Sequence, residues 1–309
     1  MLEKGIVVKS TGSWYTVKKD DGIRVECRLK GRFRIEGIKS TNPVVVGDRV
    51  MLETGTHGEI LIQGVEPRKN YLIRKSINLS KQSHIIAANI DCAFLVVTFR
   101  IPETPMEFID RFLAAAEAYS IPVCLVFNKI DLYSSKEWEQ VKQIEDMYRT
   151  IGYQTIEISV LNKTGVDELK QLIQGKISVV AGLSGVGKSS LINSVDPGLN
   201  LKVGDVSEYH EAGKHTTTFV EMVDLQDGGS IIDTPGIRGF GLIYIEREEI
   251  YHFFPEIFKF SATCSFHNCL HINEPGCAVI EAVNAGKISA SRYNSYLSMM
   301  EKDTQNKYR

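Results

Sequence analysis

Gly182 to Ser189 reads Gly-x-x-x-x-Gly-Lys-Ser, and the chemistry of that spacing is phosphate binding. The glycines let successive backbone N–H groups turn toward one point, and a helix opening there adds the positive end of its dipole. Lys188 is placed to reach the β- and γ-phosphates and steady the charge of the transferring group, and the Ser189 hydroxyl is placed to ligate Mg²⁺. Gly182, Leu183, Ser184, Gly185, Val186, Gly187, Lys188, Ser189 and Ser190 form the candidate phosphate cradle. The stretch predicts a nucleotide site.

Asn128-Lys-Ile-Asp131 selects the base, directly after the apolar run Val123 to Phe127. A carboxylate at Asp131 accepts hydrogen bonds from both the guanine N1–H and the exocyclic amine, whereas adenine offers no matching donor pair. Asn128 can meet the base edge, and the Lys129 stem can pack on its flat face. Ser159 opens a loop after the next strand, where a backbone N–H can face the guanine oxygen. Downstream of the cradle, Asp233 of Asp-Thr-Pro-Gly can hold Mg²⁺ through water, and Gly236 can sense the γ-phosphate. Between them, Gly213-Lys-His-Thr-Thr-Thr218 supplies Thr217 to complete the Mg²⁺ shell with Ser189.

Hydrolysis also needs an oriented water. Many GTPases carry Gln directly after Asp-x-x-Gly, but Ile237 stands there and cannot orient water. The expectation is slow intrinsic turnover, raised when a partner orders the loop holding His215, the candidate general base or water-positioner. Contact with RNA is the other role open to His215.

Cys264, Cys269, His271 and Cys277 offer three thiols and an imidazole within fourteen residues. Four soft N and S donors suit tetrahedral Zn²⁺, and a fully protein-ligated site is structural. His267 is a rival fourth ligand. On this reading zinc replaces a core that so small a segment could not build. Cys27, Cys92 and Cys124 are scattered and read as small core residues.

These groups need elements to hold them. The 309 residues exceed one typical domain. Residues 1–68 read as a small β domain, with short apolar runs at Ile6–Val8, Trp14–Val17, Ile23–Val25, Val44–Val46 and Ile60–Ile62 between turn signals. An OB-fold barrel suits that length. Its segment Cys27 to Arg34 interleaves basic and aromatic residues suited to RNA, while Phe33, Trp14 and Tyr15 can equally be barrel core, the expectation residue by residue. Val65 to Asn70 reads as a linker. Residues 69–243 then alternate strand and helix, which predicts a mostly parallel sheet covered on both faces. The elements are strands at 92–98, 123–127, 155–158, 177–181, 218–225 and 230–233, with helices at 106–119, 136–151 and 166–173. Residues 244–309 turn helical around the cysteine cluster, ending in a polar tail expected to fray.

Charge is unevenly spread. Residues 1–75 carry 15 Lys and Arg against 9 Asp and Glu, a surplus of +6, leaving −8 over the rest. That split suggests a polyanion partner for the first domain, or a solvated basic face with none. No stretch approaches about 18 apolar residues, and the N-terminus lacks the apolar core of a signal peptide. A cytoplasmic protein with no membrane partner is the expectation.

In the usual order of the guanine-nucleotide elements the phosphate loop comes first. Here Asn128 to Asp131 and Ser159 precede Gly182 to Ser189, so the α/β domain reads as circularly permuted. That order, with Gly213 to Thr218, Asp233 to Gly236 and the Cys3His pattern, resembles the RsgA family, also called YjeQ or YloQ, over essentially the whole chain. The resemblance implies an OB-fold, a permuted GTPase domain and a zinc-containing helical domain. It further implies a bacterial GTPase that binds the small ribosomal subunit and its rRNA, is stimulated by it, and hydrolyses GTP to GDP late in subunit maturation. A monomer is expected. Lys214 departs from the family pattern, which usually has Arg before His-Thr-Thr-Thr. An RNA-binding scaffold using GTP as a structural ligand competes with this reading, though Lys188, Ser189 and Asp233 argue against a retired site. A metabolic P-loop ATPase or kinase is disfavoured by Asn128 to Asp131.

Overall fold

The computed structural model describes residues 3–30, 43–56, 58–75, 83–201, 220–233 and 245–306. Phe33, His215, Thr217, Gly236 and Ile237 lie outside them, and Asp233 is described as backbone alone.

Alternating burial shapes the first domain. Strands β1 (Glu3–Ser10), β2 (Tyr15–Lys19), β3 (Arg24–Leu29), β4 (Arg49–Thr54) and β5 (Ile60–Val65) run in the order β1-β2-β3-β5-β4, and β4 pairs back onto β1. Closure removes the edges of the sheet and turns one face inward as a core of Val7, Tyr15, Val17, Cys27, Val50, Leu52 and Ile62. The fourth strand is Arg49–Thr54 rather than Val44–Val46, which leads into it as a buried connector. Tyr15 is core, as expected. Trp14 is a correction: it stands 44% exposed with the Arg28 guanidinium 3.6 Å over its ring.

The expected linker is tethered to the barrel. Glu66 to Asn70 follows β5, but Arg68 turns back onto the barrel and donates to both oxygens of buried Asp48 at 2.7 Å and to the Pro43 carbonyl at 3.0 Å. An antiparallel pair unread in the sequence follows, β6 (Tyr71–Lys75) and β7 (Ser83–Ala88).

The α/β domain runs β8 (Cys92–Val97), α1 (Met106–Ala118), β9 (Val123–Asn128), α2 (Ser135–Ile151), β10 (Gln154–Ile158), α3 (Val166–Ile173), β11 (Ile177–Ala181), α4 (Lys188–Val195), β12 (Glu221–Asp224) and β13 (Ser230–Asp233). The sheet order is β10-β9-β8-β11-β13-β12, parallel except where β12 meets β13. Both faces are covered: Ala93, Leu95 and Val97 of β8 join one apolar cluster, and Cys92, Phe94 and Val96 join the other. That period of two on a fully buried strand is what a doubly covered parallel sheet requires. β1 extends the sheet past β12 through Lys9 and Glu221, so barrel and α/β sheet are continuous. Lys9 pairs with Glu221, and Lys18 and Arg24 both pair with Asp224. Part of the basic surplus is therefore spent on a neighbouring strand.

The C-terminal region comprises a 3-10 turn at Arg247–Phe253 and helices α5 (Pro255–Ser261), α6 (Ala278–Asn284) and α7 (Ala290–Asn306). Helix α7 reaches Asn306, well into the stretch expected to fray. These helices enclose their own apolar cluster of Ile250, Phe254, Ile257, Val279, Tyr296 and Met300, and Ala114 of α1 belongs to it. From the Cys264 to Cys277 segment only Cys269 and Cys277 are buried in that cluster.

A buried charge network fastens this region to the α/β domain. Arg292, fully buried, donates to Asp110 of α1 at 2.8 Å and to both Glu256 oxygens at 2.6 and 3.2 Å, while the Tyr148 hydroxyl donates to Asp110 at 2.8 Å. Burial opposes the Arg292 charge, but the two carboxylates outweigh it and raise its pKa. Replacing Arg292 by Ala would leave two carboxylates without their counter-charge, at a cost of about 3–5 kcal/mol. Urea unfolding should show that loss, with early proteolytic release of the C-terminal helices. A loss below about 1 kcal/mol would show that the network holds nothing together.

Candidate nucleotide site and Cys-His centre

The permuted order leaves the spatial order intact. β11 lies between β8 and β13 at the centre of the sheet, and the Gly182 to Ser189 loop leaves its C-terminal end. Two glycines there are fixed by close approach. A Cβ on Gly182 (φ +142°) would sit 2.4 Å from the Val96 carbonyl oxygen, and one on Gly187 (φ +97°) 2.6 Å from Asn128 Nδ2. Helix α4 opens at Lys188, so Ser189 lies buried in its first turn. The Lys188 ammonium donates across the loop to the Gly182 and Leu183 carbonyls at 3.0 and 2.7 Å.

The residues expected to read the base lie beside this loop, Asn128 to Asp131 after β9 and Ser159 after β10. Asn128 Nδ2 donates to the Val186 carbonyl at 2.8 Å, and Asn128 Oδ1 is buried with no partner. Lys129, in the left-handed region at φ +60°, donates to the Gly185 carbonyl at 2.8 Å and to the Ile101 carbonyl at 2.6 Å. Asp131 sits in the short 3-10 turn Ile130–Leu132 and accepts from the Ser159 hydroxyl, which also accepts the Asn162 N–H at 3.1 Å. Helix α2 then starts on a capping box between Ser134 and Glu137, which fixes where that turn ends. Asn128 and Lys129 thus meet Val186 and Gly185, although more than fifty residues separate them in the chain, and Asp131 is held to Ser159 beside them. Asp233 ends β13, in register beside β11, so its backbone reaches the same edge of the sheet.

The sequence reading missed the turn from Thr98 to Thr104 after β8. It closes on itself, Thr104 N–H donating to the Thr98 carbonyl at 2.7 Å and Thr98 N–H to Thr104 Oγ1 at 3.1 Å. No nucleotide motif covers these residues; their only sequence signal is their place after a strand of the parallel sheet, where ligand sites gather.

In the C-terminal region, Cys264, Cys269, His271 and Cys277 bring their ligand atoms within 4.8 Å of one another and could hold a metal ion. His267 is not in the group. His271 Nδ1 lies 3.5 Å from both Cys264 and Cys277 Sγ, and those sulfurs are 4.0 Å apart. Burial lowers the His271 pKa, keeping the ring neutral and able to ligate, and burial pushes the metal-free Cys269 thiol up to about 12. The connecting loop is tied from both sides. Glu274 accepts the N–H groups of Leu270, Ile272 and Asn273, which outweigh burial and hold its carboxyl below the usual range. Tyr293 and Tyr296 of α7 donate to the His271 and Leu270 carbonyls at 2.6 Å.

A Gly182 to Ser189 loop that follows Asn128-Lys-Ile-Asp131 in the chain, in a doubly covered sheet behind a closed barrel, is the arrangement expected of a circularly permuted GTPase. Comparison with known proteins agrees. Residues 65–243 match the RsgA GTPase domain and residues 4–62 the RsgA N-terminal domain. A protein of Bacteroides thetaiotaomicron named small ribosomal subunit biogenesis GTPase RsgA 2 is 56% identical over 99% of both chains, and one of Flavobacterium psychrophilum named small ribosomal subunit biogenesis GTPase RsgA is 50% identical over 97% of this chain and 93% of its own. The crystal structure of YjeQ from Thermotoga maritima superposes with a TM-score of 0.80 at 37% identity, covering 98% of each chain. YloQ, described as a circularly permuted GTPase, superposes with a TM-score of 0.77 at 30% identity, covering 100% of this chain and 97% of its own. The chain belongs to the RsgA GTPase family and is a GTP hydrolase.

Proposed function

We propose that this GTPase acts in small ribosomal subunit biogenesis, binding the subunit and its rRNA and hydrolysing GTP there in response to it. Likeness over nearly the full length to relatives carrying that name is the observation that carries the reading. Residues 1–68, 69–243 and 244–309 are the three proposed modules, in a cytoplasmic monomer. No helix among the described residues is long and apolar enough to cross a membrane.

Asp131 reads the guanine donors, Asn128 and Lys129 lock the base-reading turn onto the phosphate loop, and the loop N–H groups receive the phosphates. Lys188 exchanges its loop carbonyls for phosphate oxygens. Ser189, buried at the start of α4, and Thr217 would hold Mg²⁺, with Asp233 reaching it through water; bound with GTP, Mg²⁺ neutralises charge developing on the phosphates. Gly236 would sense the γ-phosphate, and His215 would place the attacking water. The Cys264, Cys269, His271 and Cys277 centre fits one structural Zn²⁺. Tetrahedral bonding puts ligand sulfurs about 3.8 Å apart and sulfur and nitrogen about 3.6 Å apart, against the 4.0 and 3.5 Å seen.

One assay tests the reading: GTP and ATP hydrolysis with and without purified small subunits. GTP turnover should rise at least tenfold with subunits, with ATP untouched. His215→Ala should bind GTP normally and lose the stimulation. Equal turnover with and without subunits would reject the ribosomal role and leave the scaffold reading in its place.

A further inference from the structure

Lys129 is held from a side that no guanine motif describes. Its ammonium bridges the Gly185 carbonyl of the phosphate loop and the Ile101 carbonyl of the Thr98 to Thr104 turn. Ile101 takes φ +47°, a region in which a β-branched residue is a genuine outlier, and its side chain is 68% exposed. Conformations of that kind persist only where the surroundings over-determine them, and they gather at ligand clamps. Here the surroundings are visible. Thr98 Oγ1 donates to the Pro102 carbonyl at 2.5 Å, Phe99 stacks on Phe127 of β9 at 5.9 Å, and Arg100 donates to the Leu132 carbonyl at 3.1 Å.

The turn is pinned at its start by one side chain. Phe99 N–H donates to the Tyr133 hydroxyl at 2.8 Å, and that hydroxyl makes a longer donation of 3.4 Å to the Asn128 carbonyl. Tyr133 stacks on Trp138 at 5.9 Å, which fixes the ring. Burial raises the Tyr133 pKa, so the hydroxyl keeps its proton and serves both partners. The guanine-reading turn is thereby gripped at Lys129 through Ile101 and at Asn128 through Tyr133.

Resting on the nucleotide-site reading above, we propose that Tyr133 and the Thr98 to Thr104 turn are positioning elements that hold Lys129 at the height where its stem meets the guanine face, and so set how long guanine nucleotide stays bound. Tyr133 touches neither base nor phosphate. It acts through the turn.

The test is Tyr133→Phe in the full chain, which keeps the ring and its stack and removes only the hydroxyl. Release of a fluorescent GDP, chased with unlabelled GDP, should be about three- to tenfold faster, the range expected for one neutral hydrogen bond. Single-turnover cleavage of GTP already bound should change less than twofold, and the thermal midpoint of the nucleotide-free protein should fall by no more than the few degrees that one lost hydrogen bond accounts for. Unchanged release would overturn the proposal. Faster release with an equal slowing of cleavage of bound GTP would also overturn it, since that pattern marks a merely structural role. Failure of the parent chain to bind the fluorescent GDP would sink the nucleotide-site reading itself, a result distinguishable from either.

Discussion

Asp131→Asn is expected to exchange guanine for xanthine. The carboxylate accepts two donors from the guanine edge, and hydrogen bonds to a charged acceptor contribute about 1.5–3 kcal/mol each. Asn presents an N–H₂ where one of those acceptors stood, so one bond is lost and two donors oppose each other. The loss should reach about 3 kcal/mol, about two orders of magnitude in GTP affinity. Xanthine carries an oxygen where guanine carries its amine, and the new N–H₂ can donate to it. The fold should tolerate the change, because the Ser159 hydroxyl that donates to Asp131 can donate equally to the amide oxygen. Competition of GTP, XTP and ATP against a fluorescent guanine nucleotide measures it. The guanine assignment fails if the substituted protein still prefers GTP as strongly as its parent.

Motif chemistry was legible in the sequence because it is local. β11, α3 and β13 begin and end where the sequence places them, since apolar period, Gly and charge all change at those positions. What could not be read is what pairs across distance. Arg68 looks like a solvated charge in a linker, and only the folded barrel shows Asp48 as its buried partner. Lys18 and Arg24 look like a polyanion surface until Asp224, two hundred residues away, takes both. Val44 to Val46 has the β-branched composition of a strand, yet the ladder passes through Arg49 to Thr54. Val50 and Leu52 there alternate inward, whereas all three valines are buried together. The Thr98 to Thr104 turn carries no signature because its contribution is made by backbone carbonyls, which every residue has.

Stripping the metal should divide the C-terminal region rather than unfold it. Four ligands that could hold one ion lie between Cys264 and Cys277, and structural zinc in small domains contributes on the order of 10 kcal/mol. Without the ion, His271 Nδ1 and a backbone held at φ +57° at the same residue lose the bond that justifies them. The loop should then open as far as Glu274, Tyr293 and Tyr296 allow. Ile250, Phe254, Val279 and Met300 still bury one another, and Arg292 still ties α7 to Asp110 of α1. The expected result for Cys277→Ser, or for the parent chain after chelation, is loss of one zinc per chain by elemental analysis. Proteolysis should quicken between Cys264 and Cys277, and GDP affinity should stay within about twofold because no ligand of the cluster contacts the phosphate loop. Collapse of GDP binding along with the metal would show instead that the cluster supports the whole chain, and that the contact through Arg292 cannot hold the helices by itself.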